Sequence, residues 1–243
     1  MFRWKQLGSL TNRITEMIAR ATGTVRKRAE EMQKPTVLIA DDHTMIVEAF
    51  RKLLEPQYQV VATVADGRAL LEMAPKLRPD VIVVDIGMPL LNGLAAGQRI
   101  KQIMPRTKLI YVTMNQDADV ASEALHTGAS AYLLKSSAAS ELLQGIHEAL
   151  KGGSYVTPQI KRALMESFIR SPHPKLKTKK LTARQMEVLQ LLAEGRLMKE
   201  VGTVLGLTPR TVAFHKYRIM EAIGVKTNAE LIQFAVKNHF VDT

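Results

Sequence analysis

Five polar residues stand at the ends of short apolar runs, and their types suit phosphoryl chemistry. Asp41 and Asp42 follow the run TVLIA, Asp85 ends VIVVD, Thr113 follows KLIYV and Lys135 follows AYLL. If each run is a strand of one parallel sheet, these residues meet at its carboxyl edge, where open α/β folds collect their functional groups. We therefore predict a pocket that contains three carboxylates, one hydroxyl and one ammonium.

The three carboxylates would repel one another unless a cation lies between them. A hard cation with oxygen ligands, Mg²⁺ or a similar ion, is the usual solution. A carboxylate beside Mg²⁺ is a suitable phosphoryl acceptor, because positioning and charge neutralisation supply most of the catalysis in phosphoryl transfer. Asp85 is the predicted acceptor. Lys135 would pair with one phosphoryl oxygen, and the hydroxyl of Thr113 would hydrogen-bond another.

The elements that position these residues are read from the alternation of β-branched runs with longer amphipathic stretches from Pro35 onward. This alternation predicts a doubly wound α/β domain with a five-stranded parallel sheet over residues 35 to 153. Residues 154 to 179 are predicted to form a connecting helix and a flexible linker. The predicted strands are Thr36 to Ala40, Tyr58 to Ala65, Val81 to Val84, Lys108 to Val112 and Ala131 to Leu134.

Residues 180 to 243 carry signals for helices alone and are predicted to form a small all-α domain. Thr182 with Gln185 forms a capping box for a first helix, and a second is expected from about Met198 to Leu205. Thr208, followed by proline, begins a third helix that runs to about Ile223. A fourth begins at Thr227, which forms a second capping box with Glu230.

The net charge of +11 is concentrated at the two ends of the chain. Residues 1 to 34 carry eight basic and three acidic residues, and residues 175 to 243 carry twelve basic and six acidic ones. The middle of the chain is neutral, so both ends are expected to attract polyanions. The sequence has no cysteine, which excludes disulfides and thiol catalysis, and it has no apolar run long enough to span a bilayer. We expect a cytoplasmic protein that does not insert into membranes.

Residues 35 to 153 resemble the receiver domain of bacterial response regulators, which has a flavodoxin-like fold. The pieces that carry the resemblance are VLIADDH, VIVVDIGMPLLNG, LIYVTM and ASAYLLKSS. It implies that a sensor histidine kinase phosphorylates Asp85. It also implies that Asp42, Asp85 and the backbone carbonyl of Gly87 bind Mg²⁺ with the assistance of Asp41. Thr113 and Tyr132 would then form the switch pair, the ring of Tyr132 turning inward as Thr113 moves toward the phosphoryl group; a merely packed aromatic is the alternative.

Residues 180 to 243 resemble the LuxR-type DNA-binding domain, through LTARQMEVLQLLAEG, MKEVGTVLGLTPRTVAFHKYRIMEAIGV and KTNAELIQFAV. Together the two domains resemble the NarL/FixJ group of response regulators, which act as homodimers on DNA. The resemblance implies that the third helix enters the major groove. The residues expected near base edges are Arg210, Ala213, Phe214 and Tyr217, and those expected at phosphates are Thr208, Thr211, His215, Lys216, Arg218 and Lys226. For His215, an internal packing histidine is the alternative.

Phosphorylation is expected to tighten DNA binding indirectly, because the neutral receiver has no basic face to offer DNA. It would act by uncovering the third helix, by pairing two receivers, or by both.

The sequence leaves two rival functions to compare, an enzyme and a phosphate-independent protein that retains the receiver fold. A phosphatase of the haloacid dehalogenase type would need a second acid at the position of Gly87, and a phosphate-independent adaptor would lack a pocket residue. We therefore predict a transcription regulator and not an enzyme.

The first 34 residues form a basic extension for which three interpretations remain. Leu7, Leu10, Ile14, Met17 and Ala21 recur at helical spacing, which indicates an amphipathic helix. This helix would lie on a membrane surface, pair with a partner segment, or not belong to the native protein at all. We favour the last interpretation, because Met32 stands just before the first strand and would be an ordinary start.

Overall fold

The computed structural model describes residues 34–170, 181–238 and 240–241. The proposed amphipathic helix between Leu7 and Ala21 lies outside these residues, as do residues 171–179 of the predicted connecting helix and linker. The described residues from Thr36 onward belong to one compact unit. Within the described part of the chain, no helix is long and apolar enough to cross a membrane.

The core of the first domain is a parallel sheet whose strand order is β2-β1-β3-β4-β5-β6. The four central strands are buried on both faces because helices cover both sides, as the continuous apolar runs predicted, whereas the two edge strands are half-buried. The predicted strands are confirmed, and those that differ do so by one residue at an end. The strands are β1 (Thr36–Ala40), β2 (Gln59–Val64), β3 (Val81–Val84), β4 (Lys108–Thr113), β5 (Ala131–Leu134) and β6 (Tyr155–Val156).

The prediction of a five-stranded sheet was wrong by one short strand. β6 pairs with β5 in parallel, Tyr155 opposite Ala131 and Val156 opposite Tyr132. The backbone N–H of Thr157 continues the ladder to the carbonyl oxygen of Tyr132 at 3.0 Å. Two residues are too few to show the alternation that marks a strand, so the sequence carries no usable signal for this one. The strand ties the beginning of the predicted linker to the sheet.

Within the described residues of the first domain, six helices accompany the sheet, and side-chain caps start three of them. Asp66, Asn92 and Asp117 each accept hydrogen bonds from backbone N–H groups in the first turn of the helix that follows. Such caps satisfy donors that the helix cannot pair itself. The helices are α1 (Thr44–Leu54), α2 (Gly67–Leu77), α3 (Gly93–Ile103), α4 (Ala118–His126), α5 (Ala138–Leu150) and α6 (Pro158–Arg170).

The second domain consists of four short helices around one apolar core, as predicted. Both predicted capping boxes are present, Thr182 with Gln185 and Thr227 with Glu230, and Thr208 caps the third helix. The buried core includes Val188, Leu191, Val201, Val212 and Ile219. The helices are α7 (Ala183–Ala193), α8 (Met198–Leu205), α9 (Pro209–Ile223) and α10 (Asn228–Lys237).

Gly202 shows a tertiary reason for a residue that local propensity disfavours. Glycine inside a helix costs about 1 kcal/mol relative to alanine. A Cβ at this position, however, would lie 2.6 Å from the carbonyl oxygen of Leu207. The turn after α8 therefore packs so closely on the helix that glycine is the residue that fits.

Candidate functional site

The predicted acidic pocket is formed at the carboxyl edge of the sheet. Asp41 follows β1 and Asp85 follows β3, and both are 3% exposed, whereas Asp42 beside Asp41 is exposed. Ligand atoms of these three carboxylates and of His43 all lie within 4.8 Å of one another. The pocket thus contains closely spaced hard oxygen donors, which is the donor chemistry of a Mg²⁺ site.

Lys135 reaches the pocket from the end of β5 and bridges two carboxylates. Its Nζ lies 2.7 Å from Oδ2 of Asp85 and 2.8 Å from Oδ2 of Asp41. Burial by itself would lower the pKa of this ammonium, but the charges of Asp85 and Asp41 together outweigh that effect and raise it. Lys135 therefore stays charged in the pocket.

At Asp85, the predicted acceptor, burial has a larger effect on the pKa than the neighbouring Lys135 has. It raises the pKa of the Asp85 carboxyl, although Lys135 and a hydrogen bond from the backbone of Gly87 act in the opposite direction. The negative form of Asp85 is thus incompletely compensated by Lys135. A cation bound beside Asp85 would supply the missing positive charge.

His43 belongs to the pocket, although we did not select it from the sequence. Its Nδ1 lies 3.0 Å from Oδ1 of Asp41 and 3.0 Å from Oδ1 of Asp42. Its backbone N–H also donates to Oδ1 of Asp41 at 2.9 Å. The segment VLIADDH contains this residue, but the sequence alone does not show that its ring lies beside both carboxylates. The turn after β1 brings the three side chains together.

The predicted switch residues meet at Asn115. The hydroxyl oxygen of Thr113 accepts a hydrogen bond from the backbone N–H of Asn115 at 3.1 Å, and the hydroxyl of Tyr132 donates to its carbonyl oxygen at 3.1 Å. Tyr132 is completely buried, and burial raises the pKa of its phenol, with a smaller contribution from Asp117. The loop after β4 therefore connects the two residues directly.

The third helix of the second domain, α9, presents the predicted base-contacting residues on one open side. Phe214 is 57% exposed and Tyr217 is 67% exposed. Arg210 is exposed and Ala213 is half-buried. The guanidinium of Arg218 lies over the ring of Phe214, 5.6 Å from its centroid. Exposed aromatic and basic side chains on one helix face suit a nucleic-acid groove.

The residues predicted to contact phosphates lie around this side of α9, and they differ in their exposure and in the contacts they already make. Thr208 and Thr211 share a hydrogen bond between their hydroxyl groups at 2.8 Å, and Thr208 also caps α9. The ring of His215 meets the ring of Phe214 edge-on, with a centroid distance of 5.9 Å. His215 and Lys216 are half-buried, and Arg218 and Lys226 are exposed.

A contact between the two domains was not predicted. It joins one face of α7 to the receiver through a buried carboxylate, Glu187, which is 4% exposed. Arg99 on α3 forms an ion pair with Glu187, and Arg68 on α2 lies 3.6 Å from it. Arg184 on α7 itself adds a contact at 2.9 Å. In the sequence, Glu187 resembles an ordinary solvated residue of a surface helix, so local patterning offered no signal.

Two more residues of α7 take part in this contact. Oε1 of Gln190 accepts from the backbone N–H of Asn92 at 2.8 Å, and Nε2 of Gln190 donates to the carbonyl oxygen of Met88 at 2.9 Å. Glu194 accepts from the backbone N–H of Leu90 at 3.0 Å. The receiver segment that they bind follows Asp85 directly.

Comparison with known families assigns both domains. Residues 37–147 match the response regulator receiver domain. Residues 179–235 match the bacterial regulatory proteins of the luxR family. Both matches are to regulatory proteins, so the phosphatase alternative is wrong and the chain is a transcription regulator, not an enzyme.

Relatives and solved structures agree with these matches. The oxygen regulatory protein NreC of Staphylococcus aureus (strain JH9) is 32% identical over 214 residues, covering 85% of this chain and 99% of that protein. A structure of the Salmonella typhimurium RcsB response regulator has 28% identity and a TM-score of 0.61, covering 85% of this chain and 98% of that one. An RcsB–DNA complex, also 28% identical, covers 83% and 98% with a TM-score of 0.54. The chain therefore belongs to the NarL family of two-component response regulators, in which a receiver domain precedes a DNA-binding LuxR-type helix-turn-helix domain.

Proposed function

We propose that a sensor histidine kinase phosphorylates this response regulator on Asp85, in a reaction that requires Mg²⁺, and that phosphorylation promotes dimerisation and sequence-specific DNA binding. The observation that carries the proposal is the bridge from Nζ of Lys135 to Asp85 and Asp41 at the carboxyl edge of the sheet. The proposed domains are the receiver, residues 35 to 153, a connector, residues 154 to 179, and the helix-turn-helix domain, residues 180 to 243. The proposed site of action is the bacterial cytoplasm.

Asp42, Asp85 and the backbone carbonyl of Gly87 would hold the Mg²⁺ ion, with Asp41 assisting. The proximity of the carboxylate oxygens supports this assignment, because hard oxygen donors are the ligands that Mg²⁺ prefers. When bound, the ion supplies positive charge that stabilises the transferring phosphoryl group. Asp42 is exposed, so the pocket is open to solvent beside it.

Asp85 acts as the nucleophile in this proposal. One of its carboxylate oxygens forms a bond to phosphorus as the bond between phosphorus and the imidazole nitrogen of the kinase breaks. Lys135 then exchanges part of its carboxylate contact for a phosphoryl oxygen, which needs little movement because Nζ is 2.7 Å from Asp85. A lysine suits this exchange because its ammonium is a compact charge on a flexible stem.

Thr113 and Tyr132 would transmit the new charge. Thr113 can exchange its hydrogen bond with the backbone of Asn115 for one with a phosphoryl oxygen, and Tyr132 is bonded to the same residue. A shift at Asn115 would therefore be felt by both side chains. The backbone of Tyr132, in β5, also pairs with β6. A movement of β5 would therefore also move the start of the connector.

The proposed DNA contacts lie on and around α9. Arg210, Ala213, Phe214 and Tyr217 would face base edges, where Phe214 offers an apolar contact to a thymine methyl group. Thr208, Thr211, His215, Lys216, Arg218 and Lys226 would bind phosphates. The open position of the two aromatic rings supports this assignment.

The exposure of Phe214 and Tyr217 also indicates how phosphorylation would control DNA binding. The receiver leaves Phe214 and Tyr217 open and binds α7 instead. This arrangement favours the pairing of two receivers as the step that strengthens DNA binding, over the uncovering of these two side chains. Linkage of this kind typically amounts to 1–3 kcal/mol, so phosphorylation is expected to tighten DNA binding roughly 5- to 150-fold.

The test of the proposed function is the phosphorylation of purified protein by acetyl phosphate and Mg²⁺, followed by mass spectrometry. The wild type should gain one phosphoryl group, and Asp85→Asn should gain none, because an amide cannot form an acyl phosphate. Asp119→Asn, an exposed aspartate on α4, is the matched control and should be labelled as the wild type is. Equal labelling of Asp85→Asn would refute the assignment of the acceptor.

A further inference from the structure

We propose that Gln190, a residue of the DNA-binding domain, is a positioning residue of the receiver's phosphorylation site. Gln190 positions the site by holding the acceptor loop, defined here as residues 86 to 92 between Asp85 and helix α3. The proposal rests on the proposed function, because it takes the carbonyl of Gly87 in this loop as a metal ligand. It assigns to α7 a role in the chemistry of the other domain.

The side-chain amide of Gln190 binds two points of the acceptor loop at once. Its Oε1 accepts from the N–H of Asn92 at 2.8 Å, and its Nε2 donates to the carbonyl oxygen of Met88 at 2.9 Å. Nε2 also lies 3.0 Å from Oε1 of Glu194. Gln190 is 1% exposed, so water cannot readily replace it at these groups, and an unpaired buried backbone group is costly.

Leu90, in the middle of the loop, adds a second and independent observation. It has a φ of 64°, a left-handed conformation that is strained for a residue with a Cβ. Such strain persists only where the surroundings impose it. Here the N–H of Leu90 donates to Glu194 at 3.0 Å, and its side chain packs against the core of the helix-turn-helix domain. The DNA-binding domain therefore contacts the strained residue directly and adds to the hydrogen bonds that the loop makes within itself, from the N–H of Leu91 to the carbonyl oxygen of Pro89 and from that of Gly93 to Ile86.

The ion pairs around Glu187 keep Gln190 in place. Arg99 and Arg68 belong to α3 and α2 of the receiver, and both contact Glu187, one turn before Gln190 on α7. These pairs fasten the helix beside the loop, and the amide of Gln190 then fixes the loop backbone itself.

The consequence concerns the residue next to Met88. Because Gly87 precedes Met88, fixing the carbonyl of Met88 also limits the orientations of the Gly87 carbonyl. A preorganised ligand binds a cation more tightly, since less freedom is lost on binding. Loss of the Gln190 contacts should therefore weaken Mg²⁺ binding, even though Gln190 is not itself a ligand.

The experiment compares Gln190→Met with the wild type in the full-length chain. Methionine keeps the length of the side chain and removes both hydrogen bonds to the loop. Binding of Mg²⁺ is measured by calorimetry, and binding of Mn²⁺, as a spectroscopic probe of the same site, by electron paramagnetic resonance. The dissociation constants should rise about three- to tenfold, the range expected for the loss of one or two ordinary hydrogen bonds.

Gln185→Met is the matched control. Gln185 lies on the same helix, and its side chain accepts from the backbone N–H of Thr182 within the capping box. This variant perturbs α7 without touching the acceptor loop, so its Mg²⁺ affinity should equal that of the wild type. Glu194→Gln, which keeps an acceptor for the N–H of Leu90, should likewise bind the ion normally, whereas Glu194→Ala should bind it more weakly.

The outcomes separate this inference from the proposed function. Asp85→Asn should lose Mg²⁺ affinity whether or not Gln190 matters, because it removes a proposed ligand. If Gln190→Met binds both ions as tightly as Gln185→Met, the positioning role is overturned while the acceptor assignment stands. If Asp85→Asn binds Mg²⁺ normally, the proposed metal site itself fails.

Discussion

Asp85 and Glu187 are both buried carboxylates that face cations, and they differ in almost every other respect. Asp85 lies at the end of a strand opposite one lysine, whereas Glu187 lies on a helix of the other domain among three arginines. A lysine ammonium is a compact charge that can move to a new partner, but planar guanidinium groups hold a carboxylate in fixed geometry. The first arrangement suits chemistry that exchanges partners, and the second suits a contact that must stay in place.

Among the substitutions that test this comparison, we expect the largest effect from Lys135→Met, on the gain in DNA affinity that phosphorylation produces. Lys135→Met leaves the phosphoryl group on Asp85 without its cation. The gain in DNA affinity on phosphorylation, roughly 5- to 150-fold in the wild type, should fall to less than about twofold. The measurement is the affinity for one promoter fragment with and without acetyl phosphate. Lys76→Met, which removes an exposed lysine paired with Glu72, should keep the full gain; a full gain in Lys135→Met would contradict the assigned role.

A smaller effect is expected at Glu187, this time on stability. Glu187→Gln leaves three guanidinium groups without their carboxylate. Breaking a fully buried pair costs about 3–5 kcal/mol, but Arg68 and Arg99 are about one-third exposed, so we expect a loss of about 1–2 kcal/mol. The measurement is the free energy of unfolding in urea. Glu221→Gln breaks an exposed pair with Arg218 and should change it by less than about 0.5 kcal/mol; equal losses would mean that burial of Glu187 has no energetic consequence.

A test within the second domain sharpens the contrast between local and tertiary control. Helix propensity alone predicts that Gly202→Ala stabilises α8 by up to about 1 kcal/mol. The position of Leu207, 2.6 Å from where the new Cβ would lie, predicts a loss of about 1 kcal/mol or more instead. Thermal unfolding of the 175 to 243 fragment distinguishes the two signs. A raised melting temperature would show that the turn after α8 yields easily.

The smallest effect is expected from the basic extension. Both family matches, residues 37–147 and residues 179–235, begin after it. Removal of residues 1 to 31 should therefore leave phosphorylation and DNA binding within about twofold of the full chain, a difference of roughly 0.4 kcal/mol. Parallel phosphorylation and DNA-binding assays on both lengths check this, and a larger loss would show that the extension takes part in function.

Much of the fold could be predicted because its signals are local. Short apolar runs specify β1, β3 and β5, and Thr182, Thr208 and Thr227 begin helices where their caps indicated. The pocket followed from one general rule, that residues after parallel strands meet at one edge of the sheet. The strand β6 escaped because two residues carry no periodicity.

The residue types and their order along the chain were enough to determine the receiver fold, the acidic pocket and the helix-turn-helix. The tertiary structure alone decided how His43 joins the pocket, why Gly202 is a glycine, and that Glu187, Gln190 and Glu194 bind the receiver. The physical reason is separation along the chain. Glu187, Gln190 and Glu194 look like the polar face of a surface helix, and their partners lie about a hundred residues away. Only the packing of one domain on the other brings these partners together.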